Sequence, residues 1–104
     1  MKHVTLLIDA SDFVSVRLEL SGFEHKFSPQ NLSENLILEI KKFFKKQKLS
    51  FKDLDKIEIK TGTGFSHTRT AVATANALIF SLGLKQNLFK PIYNREPNIT
   101  LRKN

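Results

Sequence analysis

The order of the apolar patterns at the start of the chain constrains the fold more than any other feature of the sequence. The run Val4–Ile8 consists of strand-forming residues that are apolar on both faces, which is typical of a central strand. Phe13–Leu20 and Phe23–Phe27 alternate between apolar and polar residues, and the turn residues Ser21 and Gly22 separate them. The chain is therefore predicted to begin with a central strand and two antiparallel strands.

A helix is predicted next, because apolar residues recur at spacings of three and four from Leu32 to Phe44. Ser50–Asp53 has the pattern of a capping box that opens one short turn, and Leu54–Ile59 leads into a fourth strand. His67–Leu82 has the length and the stop signal of a second helix, with Gly83 in the place of a C′ glycine.

The last predicted strand is Leu88–Tyr93, which we expect at an edge because Pro91 removes a hydrogen-bond donor from the ladder. The polar tail from about residue 94 is expected to fray. The order of these elements predicts one α/β domain over residues 1–104. It has a mixed five-stranded sheet with the first three strands antiparallel, two main helices and no second domain.

Composition and termini exclude several classes of site. The 104 residues include no Cys, so disulfides, thiolate metal sites and a Cys nucleophile are excluded. The amino terminus lacks the features of a signal peptide, and the weakly charged stretch Thr70–Leu84 is too short to span a bilayer. We therefore expect a cytoplasmic protein without membrane attachment. His3, His25 and His67 have none of the short spacings of a zinc site, so we expect no metal.

Lys and Arg exceed Asp and Glu by 17 to 10, which gives a formal net charge of +7. Five lysines crowd the end of the first helix: Lys41, Lys42, Lys45, Lys46 and Lys48. Cations at this end suit the helix dipole, so the cluster has a structural explanation. The same side chains could contact the phosphates of a nucleic acid such as tRNA, above all Lys41, Lys42, Lys45 and Lys46. The sequence leaves both interpretations open.

Four segments resemble the TsaB (YeaZ) family. Leu49–Ile57 is similar to its L-S-x-x-D-L-D lead-in, Thr61–Arg69 to its G-P-G-S-F-T-G-x-R loop, and Ala71–Ala75 to its A-T-A-x-G-L helix. Leu7–Ser11 is similar to the first strand and the I-D-T-S turn of the family. Together the resemblance covers nearly the whole chain as far as Leu84.

The resemblance implies the amino-terminal domain of that family, with the ribonuclease-H-like fold of the actin-like ATPase superfamily. It also implies a role in making threonylcarbamoyladenosine next to the tRNA anticodon. In that family the protein is a non-catalytic subunit whose two amino-terminal helices pack against those of the catalytic subunit TsaD. We therefore expect a TsaD-like partner and a TsaE-like ATPase as a further partner, with neither a catalytic residue nor a cofactor in this chain.

The chain departs from the family pattern in its length and in its glycine loop. It ends where the second domain of the family would begin, so functions that need two lobes closing over a nucleotide are not expected to transfer. The loop is one residue shorter and lacks the Pro and Ser, and His67 and Ala71 stand where the family usually has Gly. We therefore expect this chain to retain the helix contacts of the family better than its loop contacts.

The second helix carries the candidate partner interface. Val72, Ala75 and Ile79 are expected to face the sheet, which leaves a small, uncharged side opposite them. An uncharged patch on a soluble domain often marks a partner site, and without a partner the same face is expected to pair two copies of the chain. Burial of this side under another segment of the chain is the alternative. The predicted interface consists of Thr70, Ala73, Thr74, Ala77 and Ser81, with Leu38 on the first helix.

The glycine turn and Asp9 are further candidates. Gly62 and Gly64 permit either a tight turn or the approach of a phosphate to the following helix, but no P-loop Lys-Ser/Thr pair follows them. Arg69 is expected to pin this loop, with a partner carboxylate as the alternative contact. Asp9 stands where actin-like ATPases keep an acid for a metal ion. Because no other carboxylate is predicted to converge there, we expect Asp9 to form a turn rather than to catalyse.

Overall fold

The computed structural model describes residues 3–12, 14–61 and 65–90, and for Phe65 and Ser66 it describes the backbone alone. Strands and helices follow each other in the predicted order over these residues. The strands are β1 (Val4–Asp9), β2 (Val16–Leu20), β3 (Phe23–Phe27) and β4 (Leu54–Lys60). The helices are α1 (Leu32–Lys46) and α2 (Phe65–Leu82), and one turn of 3-10 helix spans Phe51–Asp53.

The four described strands form one mixed sheet in the order β3-β2-β1-β4. β1 runs antiparallel to β2 and parallel to β4, and β2 runs antiparallel to β3. Leu6 in β1 is paired on both sides, with Leu20 of β2 and Ile57 of β4. A parallel pair requires a crossover connection, and α1 lies in that connection. The α/β class, the antiparallel first three strands and the two main helices are thereby confirmed.

The start of β2 differs from the prediction. β2 begins at Val16, whereas the alternating pattern predicted a strand from Phe13, which lies outside the described residues. The backbone N–H of Val14 donates a hydrogen bond to Asp12 Oδ1 at 2.9 Å, and such a local bond is typical of a turn. The side chain of Asp12 thus binds a backbone N–H within a local turn, and the strand begins after that turn, at Val16.

The predicted fifth strand over Leu88–Tyr93 is not formed in its described part. Leu88–Lys90 belong to no strand. Both backbone polar groups of Phe89 are bonded to the side chain of Asn76, and this pairing replaces a strand ladder. Residues 91–93 and the tail from residue 94 lie outside the described residues, so the described sheet has four strands.

The core lies between one face of the sheet and the two helices. α2 packs against α1 and β4, and the fully buried Ala71 and Ala75 let its backbone lie close to its neighbours. The other buried side chains come from β1, β2, β4 and α1. Among them are Leu6, Ile8, Leu18, Leu20, Leu36, Ile40, Phe43 and Ile57.

Both helices end in a Schellman motif, in which a residue in the left-handed region reverses the chain. In α2 this residue is Gly83, at φ 64°, as the sequence predicted, and the N–H of Leu84 donates to the carbonyl of Ile79. In α1 the same position is held by Lys48, at φ 57°, and the N–H of Leu49 donates to the carbonyl of Phe44. The reversal at Lys48 returns the chain beside the end of α1.

Two amide side chains fasten the segment Leu84–Lys90, here called the closing segment. Gln86 accepts a hydrogen bond from the N–H of Ile57 at 2.7 Å and donates one to its carbonyl at 3.1 Å. Asn76 donates to the carbonyl of Phe89 at 2.9 Å and accepts from its N–H at 2.7 Å. Because β4 is the edge strand of the described sheet, the Gln86 amide occupies backbone groups that a further strand would otherwise take.

We expect Gln86→Ala to lower the free energy of unfolding by about 1 to 2 kcal/mol, because it removes both partners of the Ile57 backbone. Asn87→Ala is the matched control, since Asn87 is an exposed amide in the same segment and should change stability by less than about 0.5 kcal/mol. Urea denaturation measures both. Equal losses in the two variants would show that the amide pairing contributes nothing specific.

Candidate functional site

The solvent side of α2 carries the predicted small-residue surface. Ala73, Ala77 and Ser81 are exposed, while Thr70 and Thr74 are half-buried. These positions recur every three or four residues, so they lie along one side of the helix. Within the described residues, neither α1 nor the segment up to Lys90 buries this side, and residues 91–104, the rest of the carboxy-terminal segment, lie outside them.

Phe80 is the residue of this surface that the sequence analysis missed. It lies three positions after Ala77 and seven after Ala73, and 82% of it is exposed. Its helical spacing was the signal that could have found it, since the neighbouring Ile79 is 3% exposed and belongs to the core. We call this surface the helix face; it consists of Thr70, Ala73, Thr74, Ala77, Phe80 and Ser81.

Leu38 lies on α1, which packs against α2 in the same layer of the fold. It is 50% exposed, whereas the neighbouring turns of α1 bury Leu36 and Ile40 completely. Leu38 is therefore exposed on the helical layer, and its part in the partner interface stays a prediction. The helical layer thus presents large apolar side chains to solvent from both helices, Phe80 on α2 and Leu38 on α1.

The predicted loop support falls mostly outside the described residues, because Gly62 and Gly64 belong to the undescribed part of the chain. Arg69 lies in the first turns of α2 and is exposed. Its predicted role in pinning the loop stays a prediction. Lys41, Lys42, Lys45 and Lys46 are all exposed on the last turns of α1. Among the described residues, the ion pair recorded for these four joins Lys42 to Glu39 at 3.8 Å.

Asp9 lies on the sheet face that points away from the helices, and both oxygens of its carboxylate accept hydrogen bonds. The hydroxyl and the backbone N–H of Ser11 both donate to Asp9 Oδ1, at 2.6 and 3.0 Å. The guanidinium of Arg17 donates to Asp9 Oδ2 at 2.9 Å and also pairs with Glu19 and Glu24. This arrangement gives Asp9 a structural part in the turn after β1.

The hydrogen bonds set the protonation of this pair. Burial by itself raises the pKa of Asp9, but the bonds from Ser11 and the Arg17 guanidinium outweigh it and hold the pKa below its usual value. The bond to Asp9, followed by the bond to Glu19, raises the pKa of Arg17 above its ordinary value. Both groups are therefore charged at neutral pH, which suits an ion pair and not a general acid.

The described residues contain no group of three or more His, Asp or Glu side chains that could hold a metal ion. His25 Nε2 lies 2.7 Å from Glu39 Oε1, and its ring stacks on Phe27 and Phe43, so it connects β3 to α1. Neither described helix combines the length and the apolar character that crossing a bilayer requires.

The fold belongs to a known class of α/β domain. Solved structures similar to it include "YeaZ from Pseudomonas aeruginosa", with a TM-score of 0.66 and 23% sequence identity over 79% of this chain. They also include an uncharacterised protein from the same organism, described as similar to the peptidase YeaZ, with a TM-score of 0.65 and 22% identity over 79% of this chain. The resemblance to the TsaB (YeaZ) family is confirmed at the level of the fold.

The similarity covers less than half of the solved structures. This chain spans 40% of the length of the YeaZ-like protein and 41% of the length of YeaZ. No protein-family model matches the sequence, and no curated protein matches it significantly. At these identities the comparison establishes the fold, and function has to be argued from the surfaces of this chain.

We expect Asp9→Asn to lower stability at pH 7 by about 1 to 2 kcal/mol, because bonds to a charged group become bonds to a neutral one. The pKa of Asp9 is lower in the folded protein than its unfolded value of about 4. Its charge therefore stabilises the fold above that pH, and the contribution is lost as the pH falls through the folded-state pKa. The difference between wild type and variant should shrink below about pH 4.

Thermal melting between pH 7 and acidic pH measures this difference. Asp55→Asn is the control, because the Asp55 side chain is 64% exposed on the edge strand β4. Its effect should stay within about 0.5 kcal/mol at every pH. A constant deficit for Asp9→Asn across the whole range would contradict the charged role of Asp9.

Proposed function

We propose that this chain is a non-catalytic subunit of the TsaB type, which supports tRNA threonylcarbamoyladenosine modification by docking through its helices to a TsaD-like catalytic partner. The fold supports the proposal, because it is similar to the YeaZ structures over 79% of this chain. The resemblance of the glycine-loop and second-helix segments to TsaB supports it further. The proposal includes the actin-like ATPase superfamily, a TsaE-like ATPase as a second partner and a cytoplasmic location.

The observation that carries the proposal is the exposure of Phe80 within the helix face. A phenylalanine that is 82% exposed leaves a large apolar area in water, and its burial against a partner is favourable. Ala73, Ala77 and Ser81 beside it are small and uncharged, so a partner helix can approach this part of α2 closely, and the exposed Arg69 lies one turn before Ala73. A large anchor among small residues is typical of an interface centre.

Substitutions on the helix face should weaken association without unfolding the domain. Ala73→Glu or Ala77→Arg places a long charged side chain where the partner helix approaches. Burial of an unpaired charge costs several kcal/mol, so we expect at least about a hundredfold loss of affinity. Phe80→Ser should also weaken binding, by removing the apolar anchor. Affinity is measured against a co-expressed TsaD-like subunit, and self-association by analytical ultracentrifugation.

The matched control is Ser33→Glu, which adds a glutamate at an exposed position in the first turn of α1, on another side from Leu38. It should leave association unchanged. Because Ala73 and Ala77 are exposed, their variants should melt close to wild type. Melting of the fold by Ala73→Glu would show that this side is core, and unchanged association would refute docking through the helix face.

A second candidate function is binding of tRNA or another nucleic acid through the exposed lysines on α1. The observation that favours it is that Lys41, Lys42, Lys45 and Lys46 are all exposed on two successive turns. Log affinity falls as log salt concentration rises. If these lysines contact phosphates, Lys42→Gln with Lys46→Gln should make this slope less steep by about 1.4 to 1.8. Filter binding of tRNA measures this slope. The same variant should leave docking to the partner nearly intact, so the two functions are separable.

A further inference from the structure

A shallow, open cleft lies between the end of α1 and the segment that follows it, and it shares no lining residue with the helix face. It has a volume of about 310 Å³. Lys41, Phe44 and Lys45 line it from α1, and Leu49, Ser50 and Phe51 line it from the returning chain. We call this the basic cleft. Neither the proposed docking nor the resemblance to TsaB assigns it a role.

Two backbone features hold the cleft open in this shape. The Schellman motif at Lys48 turns the chain back, so that Leu49 lies beside Phe44. The capping box at Ser50 then fixes Phe51, because the N–H of Ser50 donates to Asp53 Oδ2 at 3.0 Å. The rings of Phe44 and Phe51 meet edge to face, with centroids 5.0 Å apart and an interplanar angle of 86°. The floor is therefore a fixed apolar surface.

The rim of the cleft is positively charged. Lys41 and Lys45 are one helical turn apart on α1, and both are exposed. Among the described residues, the carboxylate that bonds to the cleft lining is that of Asp53, which accepts from the Ser50 N–H. An occupant that brings its own negative charges would therefore pair with lysines that are free to rotate toward it.

The floor decides between the two classes of acidic occupant. A nucleic-acid base binds such a surface by stacking on an open ring face. Phe44 is only 2% exposed, so the apolar surface that an occupant can contact is that of the half-buried Leu49 and Phe51. Leu49 has no ring on which a base could stack, whereas an aliphatic or aromatic side chain needs only apolar contact and can lie against Leu49 and Phe51 together. The floor therefore favours a peptide.

We infer that the basic cleft binds an acidic peptide segment of a partner protein, with a large apolar side chain against Leu49 and Phe51 on the floor and flanking carboxylates on Lys41 and Lys45. The apolar contact contributes affinity that salt does not screen, whereas the lysine contacts are screened. Binding should thus weaken with salt without vanishing.

The test uses the full chain and a fluorescent peptide with a central phenylalanine flanked by glutamates on both sides. Fluorescence anisotropy should show saturable binding. Replacement of the central phenylalanine by serine in the peptide should weaken binding at least about tenfold, because the apolar contact is lost. This comparison changes the peptide and not the protein, so a folding defect cannot explain its result.

The matched protein variants are Lys41→Glu with Lys45→Glu, and Lys42→Glu with Lys46→Glu. Both change the net charge equally on the same turns of α1, but only the first pair lines the cleft. Lys41→Glu with Lys45→Glu should lower the affinity for the peptide at least about tenfold more than Lys42→Glu with Lys46→Glu does. Ala77→Arg should bind the peptide as wild type does, so failure of helix-face docking and failure of the cleft give different results.

Three outcomes would overturn the inference. Equal losses for the two lysine pairs would mean long-range attraction alone. Equal binding of the phenylalanine and serine peptides would mean that the floor is not used. Binding of a single-stranded RNA oligonucleotide that the first lysine pair abolishes, with no binding of the peptide, would assign the cleft to nucleic acid instead.

Discussion

β1 is hydrogen-bonded on both of its edges, antiparallel to β2 and parallel to β4, and the rest of the structure depends on this double pairing. The parallel half requires the chain to cross one face of the sheet between β3 and β4, and α1 lies in that crossing. Leu6 and Ile8 of β1 face this layer and are fully buried. The position of the helix face and of the basic cleft relative to the sheet follows from the crossing.

β1 also ends in an ion pair, Asp9 with Arg17, which has a structural role on the face of the sheet away from the helices. Asp9 ends β1 on the face away from the helices, where Arg17 of the neighbouring β2 lies directly opposite it in the ladder. Because Ser11 donates to one oxygen of the Asp9 carboxylate and Arg17 donates to the other, that group has little capacity left for a metal or a substrate. The role of an acidic residue at the end of a first strand depends on its neighbours. Ser11 and Arg17 make Asp9 part of a turn.

Strong local patterns predicted most of the fold. The apolar period of α1, the capping box at Ser50 and the stop at Gly83 all appear where the sequence placed them, because each depends on contacts within a few residues. The pairing of Gln86 with Ile57 was not predictable, since it joins residues 29 positions apart and leaves no period in the sequence. Lys48 was missed for another reason: a lysine rarely occupies the left-handed position that usually takes glycine. On the surface, helical spacing identified the small residues of the helix face, and counting three further positions would have added Phe80.

The helix face and the basic cleft differ in the physics by which they would recognise a partner. The helix face is uncharged and offers close packing around Phe80, so its contribution would be largely independent of salt and would determine how tightly a partner is held. The cleft combines an apolar floor with a lysine rim on a chain of formal charge +7, so it would accelerate the approach of an acidic partner and select its register. A partner that carries an acidic segment next to an apolar helix surface would bind the helix face and the basic cleft at the same time. Two weak and dissimilar contacts on one small domain then give a combined affinity that neither contact provides alone, because the first contact raises the effective concentration for the second.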